Sequence, residues 1–86
     1  MSTIVMESQL CCEINACRIM TGRGCQARLK RTSGVALERH SRLIAVWRWR
    51  NGGFELSQTL QPFSIGKVET IAEALRISRE HLCAAA

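Results

Sequence analysis

Asn51-Gly52, set inside LIAVWRWRNGGFELSQTL at positions 43–60, constrains this chain more than any other feature. Asn-Gly is the favoured pair for a two-residue type I′ turn, in which both central residues need positive φ. A turn there pairs Arg50 with Gly53, Trp49 with Phe54, Arg48 with Glu55, Trp47 with Leu56 and Leu43 with Leu60. One face then collects Leu43, Ala45, Trp47, Trp49, Phe54, Leu56 and Leu60, with Gln58 its one polar member; the other sets Arg48 against Glu55. A three-residue loop over 51–53 would oppose Arg48 to Leu56 and Arg50 to Phe54 and mix the faces, so segregation favours the shorter turn. The rival is a helix over 33–50, capped by Ser33 and ended by the glycines, with Ala36, His40, Leu43 and Trp47 on one stripe. The β-branched and aromatic run from Ile44 to Trp49 argues for strand. A hairpin of 43–50 with 53–60 is therefore expected.

Around this hairpin the signals are weaker. Gly22-Arg23-Gly24 reads as a three-residue turn with Gly24 in the left-handed bulge position, opposing Cys17, Ile19 and Thr21 to Leu29, Ala27 and Cys25. That register also sets Arg18 against Arg28, a repulsive pair unless an anion lies between them. Positions 4–16 fit two patterns. Ile4, Met6, Leu10, Cys12, Ile14 and Ala16 alternate as a strand, while Met6, Leu10, Ile14 and Cys17 form a helical stripe; strand is favoured. The polar stretch 30–42 reads as a loop with a short element at 35–40, and Phe63-Ser64-Ile65 as a short edge strand after Pro62. Beyond Gly66, Val68, Ile71, Ala72, Leu75 and Leu82 share one helical face, with Glu69, Glu73, Arg76 and Glu80 outside it. The expected fold is α+β in a single domain, 1–86: a small antiparallel sheet, built from the hairpin and N-terminal strands, packed against a C-terminal amphipathic helix over about 66–83.

Charge is distributed unevenly. Twelve basic residues, ten of them Arg, stand against seven Glu and no Asp, for a net charge of +5. Nine of the twelve fall between positions 18 and 50, where Glu38 is the only acid. A basic middle between acidic ends suits an anionic partner, and Arg adds planar multi-donor contacts to phosphate or carboxylate. The candidate binding residues are Arg18, Arg23, Arg28, Lys30, Arg31, Arg48 and Arg50. The plain alternative is a solvated face.

Several classes are disfavoured. No apolar run approaches the roughly 20 residues of a membrane span, and MSTIVMESQL lacks the basic flank and cleavage site of a signal peptide. Cys11, Cys12, Cys17, Cys25 and Cys83 are odd in number and include an adjacent pair, which fits a reduced cytoplasmic protein better than a disulfide scaffold. No cysteine pair has the spacing of a structural zinc site, and His40 and His81 lie far from them in sequence, so neither metal nor cofactor is expected. With no Asp and no Tyr, acid–base chemistry would fall to Glu or His, and no flanking motif supports a Cys–His nucleophile.

Two resemblances cover the C-terminal half. The run from Ile71 to Leu82 resembles a helix-turn-helix of the repressor type: Ala72 matches the small residue of its first helix, Ile77 and Leu82 the apolar packing positions, and Ser78 the start of the recognition helix. Arg76 stands where that family usually has Gly. The alternative is one continuous amphipathic helix on a sheet, in which Ile77 is expected to face solvent. RNGGFELSQTLQPFSIGKVETIAEAL is similar in arrangement to HicB-type antitoxins, with Gly66 and Glu73-Ala74-Leu75 at matching places. That family's Pro-Asp-Leu-Pro-Gly stretch is absent, and what the resemblance implies is a topology.

The functional expectation is a non-enzymatic, cytoplasmic binding protein. Trp47 and Trp49 alternate with Arg48 and Arg50, so aromatic and basic side chains take opposite faces. An open tryptophan face would stack on unpaired bases; a covered one leaves the guanidinium groups outward as a phosphate- or carboxylate-binding face, and is the expectation. The partner is then nucleic acid, bound by a small regulator. The alternative is an acidic protein or nucleoprotein surface, bound by an inhibitor or adaptor of the anti-CRISPR-like or antitoxin-like kind. An exposed edge strand would support a homodimer.

Overall fold

The computed structural model describes residues 3–31, 33–58 and 64–83. Helix α1 (Thr3–Ala16) and the short helix α2 (Arg18–Thr21) precede five strands, β1 (Cys25–Leu29), β2 (Val35–Arg39), β3 (Arg42–Arg50), β4 (Gly53–Gln58) and β5 (Ser64–Val68), and helix α3 (Ile71–Cys83) follows. The strands form one antiparallel meander in the order β1-β2-β3-β4-β5. The chain is α+β, with α3 packed against the sheet beside α1. Among the described residues no helix is long and apolar enough to cross a membrane.

The β3–β4 hairpin forms in the expected register, Trp49 opposite Phe54, Arg48 opposite Glu55 and Trp47 opposite Leu56. Asn51 and Gly52 both take positive φ, 53° and 77°, as a type I′ turn requires. Trp47 is fully buried, and the Phe54 ring meets Trp47 and Trp49 edge to face, with centroids 6.0 Å and 4.8 Å away. One pairing fails. A bulge shifts the β2–β3 register so that Leu37 pairs with Ala45 but Glu38 pairs with Leu43. Ile44 is the extra residue and packs on the core, while Leu43 is turned out, 43% exposed. Positions 59–60 and Phe63, expected in strands, lie outside the described residues.

The N-terminal strands are corrected. Positions 3–16 are helical, and the buried stripe is Met6, Leu10 and Ile14. Helix lets that stripe reach the core while its flank reaches the sheet. Asn15 Oδ1 accepts from Ala27 N at 2.8 Å and its Nδ2 donates to Ala27 O at 2.9 Å, occupying both outward groups of a residue on the edge strand β1. Glu7, also buried, accepts from Gly34 N at 2.8 Å and Trp49 N at 3.0 Å, tying α1 to the start of β2 and the end of β3.

The expected strand 17–21 is α2, which buries Met20; β1 therefore pairs with β2 and not with 17–21. Arg28 faces Ala36 instead of Arg18, and the like-charge clash disappears. The short element expected at 35–40 within the polar stretch 30–42 is β2, closed onto β3 by His40 and Ser41 at φ 51° and 66°, a conformation that ordinary residues seldom adopt and that carries no glycine signal.

The C-terminal helix starts at Ile71, not 66, because Val68 ends β5. Thr70 caps it: Glu73 N donates to Thr70 Oγ1 at 3.1 Å and Thr70 Oγ1 donates to Glu73 Oε1 at 3.3 Å. It is one uninterrupted helix, so the helix-turn-helix arrangement is not present. Its buried stripe is Ala74, Ile77, Ser78 and Leu82, rotated from the expected one; Ala72 is exposed and Leu75 partly buried. Ile77 is buried, against the solvent position expected of it, because α3 packs on α1 as well as on the sheet. Ser78 belongs in that stripe because its Oγ accepts from Trp47 Nε1 at 2.7 Å and donates to Ala74 O at 2.7 Å.

Candidate nucleic-acid interface

Because α1 and α3 lie on the same side, the other side of the sheet carries none of the described helices, although Ala36, Glu38 and Val46 at its centre are buried. Strand alternation sends Gln26 and Arg28 of β1, Ala36 and Glu38 of β2, Val46, Arg48 and Arg50 of β3, and Glu55 of β4 to that side. Gly34 precedes β2 beside Arg48: a Cβ there would meet Val46 Cγ1 at 2.9 Å and Arg48 Cγ at 3.4 Å, so the absent side chain makes room for the arginine stem. Across the Arg50–Gly53 pair, the Lys67 stem of β5 fills the space a Cβ on Gly53 would need, and its Nζ donates to Asn51 O at 2.9 Å.

Of the seven basic residues singled out from sequence, Arg28, Arg48 and Arg50 share this uncovered face. Lys30 and Arg31 stand in the β1–β2 connection at the same end as Arg50; together with Ile4, Glu7, Ser8, Leu29 and Ser33 they line a cleft of about 210 Å³. Arg18 and Arg23 do not join them. They sit at the opposite end, where Arg39 and Arg42 pair across the β2–β3 turn and Arg23 Nη1 donates to Cys83 O at 3.4 Å. The expected single basic surface is thus divided between two ends of the sheet, because 18–24 is helix and turn, not a strand alongside β1.

The uncovered face is also less positive than its stretch of sequence. Glu38, the one acid of the basic segment, is buried at its centre, accepting from Arg28 Nη2 at 2.6 Å and Gln26 Nε2 at 2.8 Å. Glu55 faces Arg48 in the ladder. Counting Lys67, which sequence reading did not identify, four cations oppose two carboxylates there, and Lys30 and Arg31 stand at the same end in the cleft beside α1. Lys67 escaped notice because its place depends on a bulge that sets Phe54 opposite Val68 and Leu56 opposite Ile65.

Both tryptophans point to the helix side. The described residues of the uncovered face include no aromatic side chain, so it offers guanidinium and ammonium groups but no stacking platform. Among the described residues no group of three or more His, Cys, Asp or Glu side chains converges to hold a metal ion. Burial, the largest effect, and then neighbouring Cys12 push the Cys11 thiol pKa up; hydrogen bonds to the Leu29 backbone and Asn15 pull it back. Burial likewise raises Cys25, reinforced by Cys83 and opposed by Arg39 and Arg23. No protein-family model, curated protein or solved structure matches this chain.

Proposed function

We propose that the protein is a non-enzymatic, cytoplasmic nucleic-acid-binding regulator whose contacts run to phosphate through the uncovered face of its sheet. The observation that carries this reading is that Arg28, Arg48 and Arg50 share that face, while Lys30 and Arg31 stand at the same end of the sheet, in the cleft beside α1. Without an aromatic platform, the contact reads charge and spacing and not bases, so binding is insensitive to sequence. Arg28 spends part of its charge on Glu38, leaving Arg48, Arg50, Lys30 and Arg31 as the principal phosphate ligands.

Salt dependence of binding to random-sequence DNA and RNA tests the proposal. Four phosphate contacts give a log–log slope of about −3.5 on duplex DNA. Replacing Arg48 and Arg50 together by Ala lowers the steepness by about two while leaving the circular dichroism spectrum unchanged. Negligible affinity for either bare polymer at low salt overturns the reading.

One observation favours the second reading, docking on an acidic protein or nucleoprotein surface. Ile4 (74% exposed) and Leu29 (45%) stand beside Lys30 and Arg31 in the same cleft, a mixture of aliphatic and cationic groups that suits a protein partner. Affinity capture that returns an acidic protein after nuclease treatment supports this alternative.

A further inference from the structure

Two of the five cysteines, distant in sequence, meet in the fold. Cys25 opens β1 and Cys83 closes α3. Cys25 Sγ donates to Leu82 O at 3.7 Å, and Arg23 Nη1, two residues before Cys25, donates to Cys83 O at 3.4 Å. The end of the helix is thereby held against the start of the strand, and Cys83 is the residue next to the carbonyl that the Cys25 thiol contacts. Cys25 is almost fully buried; Cys83 is partly exposed at the margin of the core. Both are reduced, as are Cys11 and Cys12 on α1 and Cys17 just after it.

We propose that Cys25 and Cys83 form an oxidation site that closes to an intramolecular disulfide on exchange with a small-molecule disulfide such as oxidised glutathione. The Cys83 thiolate, the more accessible, attacks one sulfur of the oxidant; a mixed disulfide forms and one glutathione thiolate leaves. Cys25, deprotonated in turn, attacks Cys83 Sγ; the mixed bond breaks and the second glutathione leaves as a thiolate, which takes up a proton. Two protein thiols are oxidised by two electrons and one glutathione disulfide is reduced to two thiols. The bond staples α3 to β1 and closes a loop of about 60 residues, which restricts the unfolded chain. It lies at the sheet end away from Arg50 and Lys30, so it stands or falls independently of nucleic-acid binding.

The decisive experiment uses the full chain carrying Cys11→Ser, Cys12→Ser and Cys17→Ser, incubated with oxidised glutathione. The expected result is a monomer that loses both remaining thiols and two hydrogens in intact mass, with no glutathione adduct retained. Trypsin then releases residues 24–28 linked to residues 80–86, separable on reduction. The oxidised form melts higher than the reduced form by roughly 10 °C. A persistent glutathione adduct, retention of both thiols, or a bond formed only between chains overturns the proposal. Should the triple variant fail to fold, the same tryptic pair in the oxidised wild-type chain decides the matter: its presence as the main intramolecular link supports the assignment and its absence refutes it.

Discussion

Replacing Glu7 by Leu removes a buried carboxylate in favour of a side chain of similar bulk. Exchanging buried charge for hydrocarbon is often neutral or stabilising when the whole ion pair goes. Here the partners are the backbone amides of Gly34 and Trp49, at 2.8 Å and 3.0 Å, which no side-chain substitution removes. Each hydrogen bond to a charged acceptor is worth about 1.5–3 kcal/mol, and an amide left buried without a partner carries its full desolvation cost. The Gly34 bond is buried, while the Trp49 bond is partly exposed and its amide recovers some of the loss from water. The expected destabilisation is about 3–4 kcal/mol, a large share of the total stability of a small domain. With a urea m-value of about 1.5 kcal/mol/M, the midpoint falls by about 2 M and m is unchanged. Glu7→Gln keeps one acceptor but turns a donor toward the second amide, and should fall between wild type and Glu7→Leu. A midpoint for Glu7→Leu within about 0.5 M of wild type, at equal m, would show that this carboxylate does not hold the strand ends and would refute the reasoning.

Ser78→Ala strands the Trp47 indole N–H in the core and should cost about 1–3 kcal/mol in urea titration, far above an ordinary Ser→Ala change at a surface position of a helix. Asn15→Ala uncovers the Ala27 backbone at the β1 edge; the expected outcome is a loss of about 1 kcal/mol together with concentration-dependent self-association by light scattering. The thiols of Cys11 and Cys25 have folded-state pKa values above their unfolded ones, chiefly through burial, so the folded chain keeps protons that the unfolded chain gives up. Their contribution is therefore complete below the unfolded thiol value of about 8.5 and declines as pH rises through the folded values; Cys11→Ala with Cys25→Ala should flatten the fall in unfolding free energy above that pH.

The hairpin was legible because turn chemistry and face segregation agreed at Asn51-Gly52. Elsewhere local signals misled where distant groups decided the outcome. Residues 4–16 alternate well enough for a strand, but Glu7 and Asn15 bond to backbone groups of β1, β2 and β3, and that preference for helix is invisible in any window around α1. The β2–β3 turn was hidden because His40-Ser41 lacks the Asn-Gly signature of the conformation it adopts. The α3 stripe was misplaced because Ser78 counts as polar, and its buried position depends on an indole thirty-one residues away. The candidate site was legible as residue types but not as a surface. Arg48 and Arg50 follow from the hairpin, whereas the separation of Arg18 and Arg23 follows from α2, and the neutralisation of Arg28 from the β1–β2 pairing that brings Glu38 alongside.

The meander has a consequence for the order in which the chain assembles. Every strand pairs with its neighbour in sequence, so the sheet closes through short loops and each hairpin can form as soon as its second strand exists. The first helix is different: it leaves the ribosome before any of the strands whose amides its Glu7 and Asn15 will bind. It is expected to wait, unfixed, while the hairpins condense, and to settle at the end; substitutions along its buried stripe should then speed unfolding and leave the refolding rate nearly unchanged.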